Sequence, residues 1–360
     1  MGTGLLCLAL CLASLSLSLG FKEHDFKKCG DSKFCDRLRG NSAPSYAIVP
    51  SSVSMDTSTL AAELRNDDDS KAFALRITAH TDIFRVHVAE IDVDRFELRD
   101  ILQPTLPDLA PVQHVSDGKT SRLTAAGNVL MLQYKPFKVE LPGLIELNSR
   151  SMFHMEHRRQ RGENDTELWE ESFKGHADSK PFGPQAISLD MRFTSAEHVY
   201  GIPEHATELS LKPTAGPGVT SEPYRLYNLD VFEYLANSPF GLYGSIPYMV
   251  AVGQGRAVGA FWLNAAEMYI DVERGGKGID TQWMVESGVV DLFLLTGPTP
   301  AKLSQQYSEL TGTSAMPQMF SIGYHQCRCP LLAPGLPCLM HASQTLHAHM
   351  RFTPACAPVA

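Results

Sequence analysis

The sequence predicts a mainly β protein, built as one large antiparallel sandwich with a late helix. Three observations lead there. Apolar and polar residues alternate in several separate stretches. Other stretches are more uniformly apolar, and Gly, Pro and Asn turns punctuate both kinds over more than 200 residues. A chain of 360 residues with 44% hydrophobic and 20% charged side chains can bury a core of that size.

The chain opens on MGTGLLCLALCLASLSLSLG, apolar from Leu5 to Leu19 with small residues at Ser18 and Gly20. Residues 1–20 read as a secretory signal peptide, although its start lacks Lys and Arg. A membrane anchor fits less well: the run is short, holds several serines and meets Phe21-Lys22-Glu23-His24 at once. No later segment approaches about 20 apolar residues, so no span is expected after cleavage.

Residues 21–60 are polar and turn-rich and read as an N-terminal arm. Within it Cys29 and Cys35 bracket GDSKF. That spacing fits neither a CxxC redox pair nor a zinc site, which leaves a structural disulfide contributing about 2 kcal/mol. Asn66-Asp67-Asp68-Asp69-Ser70 lacks the Gly and Glu of an EF-hand loop and reads as a solvated turn.

Residues 61–298 carry the sandwich. Phe84, Val86 and Val88 alternate with Arg85 and His87, and Phe137, Val139 and Leu141 with Lys138 and Glu140. Ile187, Leu189, Met191 and Phe193 alternate with Ser188, Asp190 and Arg192. Period two marks a strand with one buried face. Ala257 to Leu263, Met268 to Val272 and Val289 to Leu295 are more apolar, with Asp271 and Asp291 as their charged residues, and suit inner strands of a packed sheet pair. Trp262 and Trp283 fall in such runs, so core packing outweighs a sugar-stacking role.

Asn164-Asp165-Thr166 is a glycosylation sequon, usable in the secretory pathway. Residues 299–328 change character. Thr299 caps, Pro300 takes the first helical position, Leu303, Tyr307 and Leu310 share a face, and Gly312 ends the helix. Met319 to Tyr324 then reads as a strand, with a domain boundary near 296–315. A net charge of −9 argues against nucleic acid as a partner.

Several long strings fall in one order: FKKCGDSKFCDR, ESFKGHADSKPFGP, HVYGIPEHATELSLK, EPYRLYNLDVFEY, FWLNAAEMYIDV, ESGVVDLFLLTGP and FSIGYHQCR. Together they resemble the N-terminal third of family 31 glycoside hydrolases, from about Phe26 to Arg328. The likeness is to the branch of α-glucosidases that trims glucose from N-glycans in the endoplasmic reticulum. It implies a mutarotase-like sandwich followed by only the first strand of a (β/α)₈ barrel. It also implies a retaining mechanism, with two carboxylates roughly 5–5.5 Å apart at the C-terminal face of the barrel. No metal or organic cofactor is needed. The implied partners are N-glycan glucose residues and the β subunit of a heterodimeric enzyme.

The nucleophile's motif in that family has the form WxDMNEP and is absent here. No catalytic residue is therefore assigned, and the chain as it stands is expected to be inactive. By the resemblance, Asp230 in EPYRLYNLDVFEY reaches over the family's active site, where a carboxylate accepts two sugar hydroxyls. Asn228 is a weaker candidate and Tyr227 reads as loop support. Glu204 and His205 suggest an acid and a base, but a buried ion pair bracing the sandwich against the barrel is the plainer expectation. His325, Gln326 and Arg328 end the expected barrel strand.

Residues 329–360 read as an unrelated, disordered tail. Cys327, Cys329, Cys338, Cys356, His341, His347 and His349 match no zinc spacing, so no metal site is assigned. The terminal Ala357-Pro358-Val359-Ala360 is no retention signal, so retention in the reticulum lumen is expected to come from the β subunit. The competing reading is a carbohydrate-binding or regulatory sandwich. It is disfavoured because one loop around Asp230, with no opposing wall, does not enclose a sugar.

Overall fold

A computed structural model describes residues 23–41, 45–66, 71–162, 166–231 and 234–324. The signal at 1–20, the turn at 67–70, Asn164, His325, Gln326, Arg328 and the tail at 329–360 lie outside the described residues. Two compact units result, one ending at Gly312 and the other starting at Thr313.

The first unit is built on two large antiparallel sheets. One runs in the order Tyr46–Ile48, Thr59–Asn66, Ala72–His80, Ile83–Glu90, Val290–Leu295, Arg256–Trp262, Tyr248–Gly253, His198–Gly201. The other runs Tyr224–Leu226, Met268–Gly275, Gly278–Val285, Ile187–Thr194, Ile145–Leu147, Lys138–Leu141, Asn128–Gln133, Thr120–Ala125, Gln113–Ser116. Late strands thus sit inside each sheet, which closes the sandwich only when residues near 290 have been added.

Pleating explains the core. Phe73, Leu75 and Ile77 point between the sheets while Arg76 between them is exposed. Phe84, Val86 and Val88 do the same one strand along. Register sets Leu189 opposite Trp283 within the second sheet. Trp262 of the first sheet and Trp283 of the second are fully buried, with ring centroids 6.2 Å apart. Their indole N–H groups donate to Val289 O at 3.0 Å and Thr281 Oγ1 at 2.9 Å, so burial leaves neither donor unmet.

The apolar strands also have covered outer faces. Ile83, Phe261, Phe293 and Leu295 pack outward against Leu303 and Leu310 of the helix Pro300–Thr311. Leu98, Leu102 and Leu106, from the loop after Ile83–Glu90, add to that layer. Thr299 Oγ1 accepts from Lys302 N at 3.1 Å to start the helix. Gly312, at φ 85°, ends it, its N–H donating to Ser308 O at 2.7 Å. The helix therefore packs with the sandwich unit, which extends to Gly312, and does not open the following segment as expected from residue 299. Its two buried leucines, not its position after the last strand, decide this.

The N-terminal arm is also corrected. Tyr46–Ile48 pairs with Thr59–Asn66 as a strand of the first sheet, because Tyr46 and Ile48 have apolar space to fill. Cys29 and Cys35 are joined by a disulfide. Phe34, Cys35 and Leu38 seal the outer face of the second sheet over Ala186, Tyr269 and Met284. Arg39 grips Asp271 with two bonds of 2.8 and 2.9 Å. The segment is a cover, not a free arm.

In the second unit the strand expected at Met319–Tyr324 is instead a 3₁₀ turn over Met319–Ile322. No strand among the described residues pairs with it, and Ser321 N donates locally to Gln318 O at 2.9 Å. Met319, Phe320 and Tyr324 are exposed.

Trp262→Ala should lower unfolding free energy by about 3–5 kcal/mol, since it opens a cavity where both sheets are already close-packed. Urea denaturation would register it as a lower midpoint at unchanged slope.

Candidate functional site

The strand Tyr224–Leu226 forms one edge of the second sheet, with Tyr224 opposite Ile270. At Tyr227 the chain leaves the sheets, and the next strand among the described residues starts at Tyr248. Backbone bonds hold this excursion. Arg225 N donates to Pro239 O at 2.9 Å and Leu229 N to Leu242 O at 2.6 Å. Leu242 N donates to Glu204 O at 3.0 Å, and Glu204 N to Gly244 O at 2.7 Å. The two limbs pass so closely at Gly241 that a Cβ there would lie 2.6 Å from Tyr227 O. Only glycine permits that approach.

Beneath the loop lies a buried ion pair. Arg225 Nε donates to Glu267 Oε1 at 2.8 Å, and the guanidinium sits 4.5 Å from the Tyr227 ring centroid. Burial first, then the Glu267 charge, hold the neighbouring Tyr269 phenol far above its usual range. The pair fixes the root from which Tyr227, Asn228 and Asp230 project.

Those three candidates are all exposed. Asp230 faces the Tyr243 phenol, and its carboxylate holds that phenol above its usual range. Tyr243 Oη also donates to Val231 O at 3.1 Å. Two clefts flank the loop. Asn228 lines one of about 670 Å³ with Leu98, Ile101 and Tyr307. Asp230 lines another of about 720 Å³. Tyr227 and Glu267 border both. The structure thus separates Asn228 from Asp230, a division their closeness in sequence does not reveal.

The expected ion pair at Glu204 and His205 is not found. Glu204 is exposed and rests against Gly244, while its backbone serves the loop. His205 Nε2 donates to Arg225 O at 2.9 Å, and burial holds the imidazole below its usual range. Its role is to brace the strand that carries Arg225. Among the described residues no group of three or more His, Cys, Asp or Glu is placed to hold a metal.

The Asp230 cleft has a second wall that sequence reasoning missed. The hairpin of Glu170–Phe173 and His176–Ser179 turns at Lys174 and Gly175, both at positive φ. A Lys-Gly pair between short polar strands was the available signal. Glu171 is buried between Lys27 and Lys180, the latter at 2.9 Å, and Lys180 also reaches Glu286 at 3.2 Å. Burial by itself pushes the Glu171 carboxyl up. Hydrogen bonds from the two lysines outweigh it and hold the group below the ordinary 4.5.

Residues 74–271 match the glycosyl hydrolase 31 N-terminal galactose mutarotase-like domain. The chain belongs to glycoside hydrolase family 31. Its family 31 relatives include a probable glucan 1,3-alpha-glucosidase of Arabidopsis thaliana, 40% identical over 89% of this chain and 39% of the relative. Neutral alpha-glucosidase AB of Sus scrofa is 33% identical over 91% of this chain and 41% of the relative. A solved ER glucosidase II heterodimeric complex, of catalytic subunit and the binding domain of the regulatory subunit, superimposes with TM-score 0.75. It is 35% identical over 84% of this chain and 39% of that one. A glucosidase II alpha subunit bound to alpha3-Glc2 gives TM-score 0.76 at 35% identity, over 85% of this chain and 39% of that one. The chain spans about two fifths of the length of these family 31 relatives.

Arg225→Met should cost about 3–5 kcal/mol by stranding the Glu267 charge, whereas Arg225→Met with Glu267→Leu should cost less. A double-mutant cycle in urea measures the difference. A folded pKa below the unfolded one stabilises above the unfolded value and is lost as pH falls through the folded one. Glu171 should therefore contribute above pH 4.5 and lose that contribution below it. In Glu171→Gln, the fall of the urea midpoint with acid should be shallower than in the parent.

Proposed function

We propose that this chain is the N-terminal portion of an endoplasmic reticulum α-glucosidase catalytic subunit of the glucosidase II type. In that reading the intact enzyme removes terminal α-linked glucose from N-glycans by a retaining mechanism. One carboxylate attacks the anomeric carbon and a second, kept protonated by its surroundings, donates to the leaving oxygen. Both would be supplied by a (β/α)₈ barrel, and residues 1–360 carry neither. The glucosidase II β subunit is the proposed partner, the reticulum lumen the proposed location, and Asn164 a proposed glycan attachment site.

Asp230 is the residue assigned to substrate. The observation that carries this is an exposed carboxylate on a loop rooted by a buried Arg225–Glu267 pair and closed at Gly241. A carboxylate so held accepts two adjacent hydroxyls without first ordering its own backbone, which favours binding by lowering the entropy lost. Tyr243, beside it, orients the carboxylate. Asn228 faces the neighbouring cleft and is a weaker contact.

A second reading, a sugar-binding sandwich, gains from one observation. Asp230 is not alone on one side of open solvent; the cleft it lines is also lined by Phe26 and Phe173.

The chain is expected to hydrolyse p-nitrophenyl α-glucoside no faster than a buffer blank. Turnover that vanishes in Asp230→Ala would contradict the assignment of both carboxylates to the barrel.

A further inference from the structure

Hairpin geometry sets one face of the Glu170–Ser179 hairpin toward the Asp230 cleft. Glu171 pairs across with Asp178, and Phe173 with His176. Period two puts these four side chains on one face, with Ser172 and Ala177 on the other. All four line the cleft, and neither Ser172 nor Ala177 does. The hairpin is held in place at Glu171 by Lys27 and Lys180. Lys27 adjoins the disulfide-closed segment, which is itself fastened by Cys29 N donating to Glu222 Oε2 at 2.9 Å. Phe26, next to Lys27, stacks on Phe240 of the Asp230 loop, centroids 5.4 Å apart. The walls of the cleft are therefore tied to one another.

The charge pattern selects the ligand. Each lysine and arginine lining the cleft is already paired: Lys27 and Lys180 with Glu171, Arg225 with Glu267. Among the described residues of the cleft, no lysine or arginine is left to meet a phosphate or an acidic glycan. Among the described residues Asp178 has no partner, and Asp230 faces the Tyr243 phenol. Carboxylates set beside the Phe173 and Tyr227 rings suit a ligand with many hydroxyl donors and apolar C–H faces. A volume of about 720 Å³ exceeds one hexose.

We infer that the cleft between the Asp230 loop and the Glu170–Ser179 hairpin is a groove for an uncharged oligosaccharide longer than one sugar, with Asp178 and Phe173 as its far wall. The inference rests on the reading of Asp230 as a sugar contact and extends it to a second set of residues.

The test titrates the 360-residue chain by NMR with methyl α-glucoside and with maltotriose. Parent, Asp178→Ala, Phe173→Ala and Asp230→Ala forms are compared once near-UV circular dichroism shows each folded. Asp178 is exposed, so its variant remains informative if Phe173→Ala does not fold. Asp178→Ala and Phe173→Ala should each weaken maltotriose roughly five- to tenfold, the loss of one contact, and leave methyl α-glucoside unchanged. Asp230→Ala should weaken both sugars. Hairpin variants that bind maltotriose as the parent does would overturn the groove while the Asp230 reading stands. An Asp230→Ala form that binds both sugars normally, with maltotriose lost only in the hairpin variants, would remove the Asp230 reading and keep the far wall. Absence of maltotriose binding by the folded parent, or binding abolished by high salt as for a charged ligand, would overturn the inference outright.

Discussion

Both sheets of this sandwich are apolar on two faces over part of their area, and that constraint governs most of what surrounds them. Inward, the strands meet each other around Trp262 and Trp283. Outward, Phe261 and Phe293 on one sheet and Tyr269 and Met284 on the other would lie in water if left bare. Burying a large side chain is worth about 1.5–3 kcal/mol, so the chain covers them. A helix and a leucine-bearing loop cover the first sheet. A short disulfide-closed segment covers the second. Elements that look peripheral in the sequence are thereby made integral to the fold.

The same constraint builds the candidate site. Covering the second sheet brings Phe26 and Lys27 beside the loop that leaves the sheet at Tyr227. Lys27 then meets Glu171, which draws in the hairpin. At the root of the loop, Arg225 and Glu267 are too buried to stand alone and find each other. The result is an exposed carboxylate, Asp230, between walls that are themselves ion-paired.

Much of this was legible beforehand where local chemistry decides. The alternation at Phe84, Val86 and Val88 survives because every polar neighbour has to face away from the core. The Thr299 cap, Pro300 and Gly312 bound the helix as read, since each acts through its own backbone geometry. Other readings failed where a distant partner decides. Met319–Tyr324 has strand composition, but a strand needs a neighbour to complete its hydrogen bonds. Glu204 and His205 are adjacent and opposite in potential charge, yet His205 is taken up by Arg225 O, and Glu204 remains in solvent. Residues 46–48 looked like arm because so short a strand cannot show a period.

By itself, the sequence determined the β class, the alternating core, the capped helix and the long strings that mark family 31, because pleat, cap and motif are each written within a short run of neighbouring residues. Tertiary structure alone decided that the N-terminal segment is a cover, that the helix belongs to the sandwich, and that Asp230 and Asn228 face different clefts. It also decided that a hairpin far upstream stands opposite Asp230. Such contacts join residues 27 and 171, or 26 and 240, and their energy depends on burial that exists only once both sheets have closed.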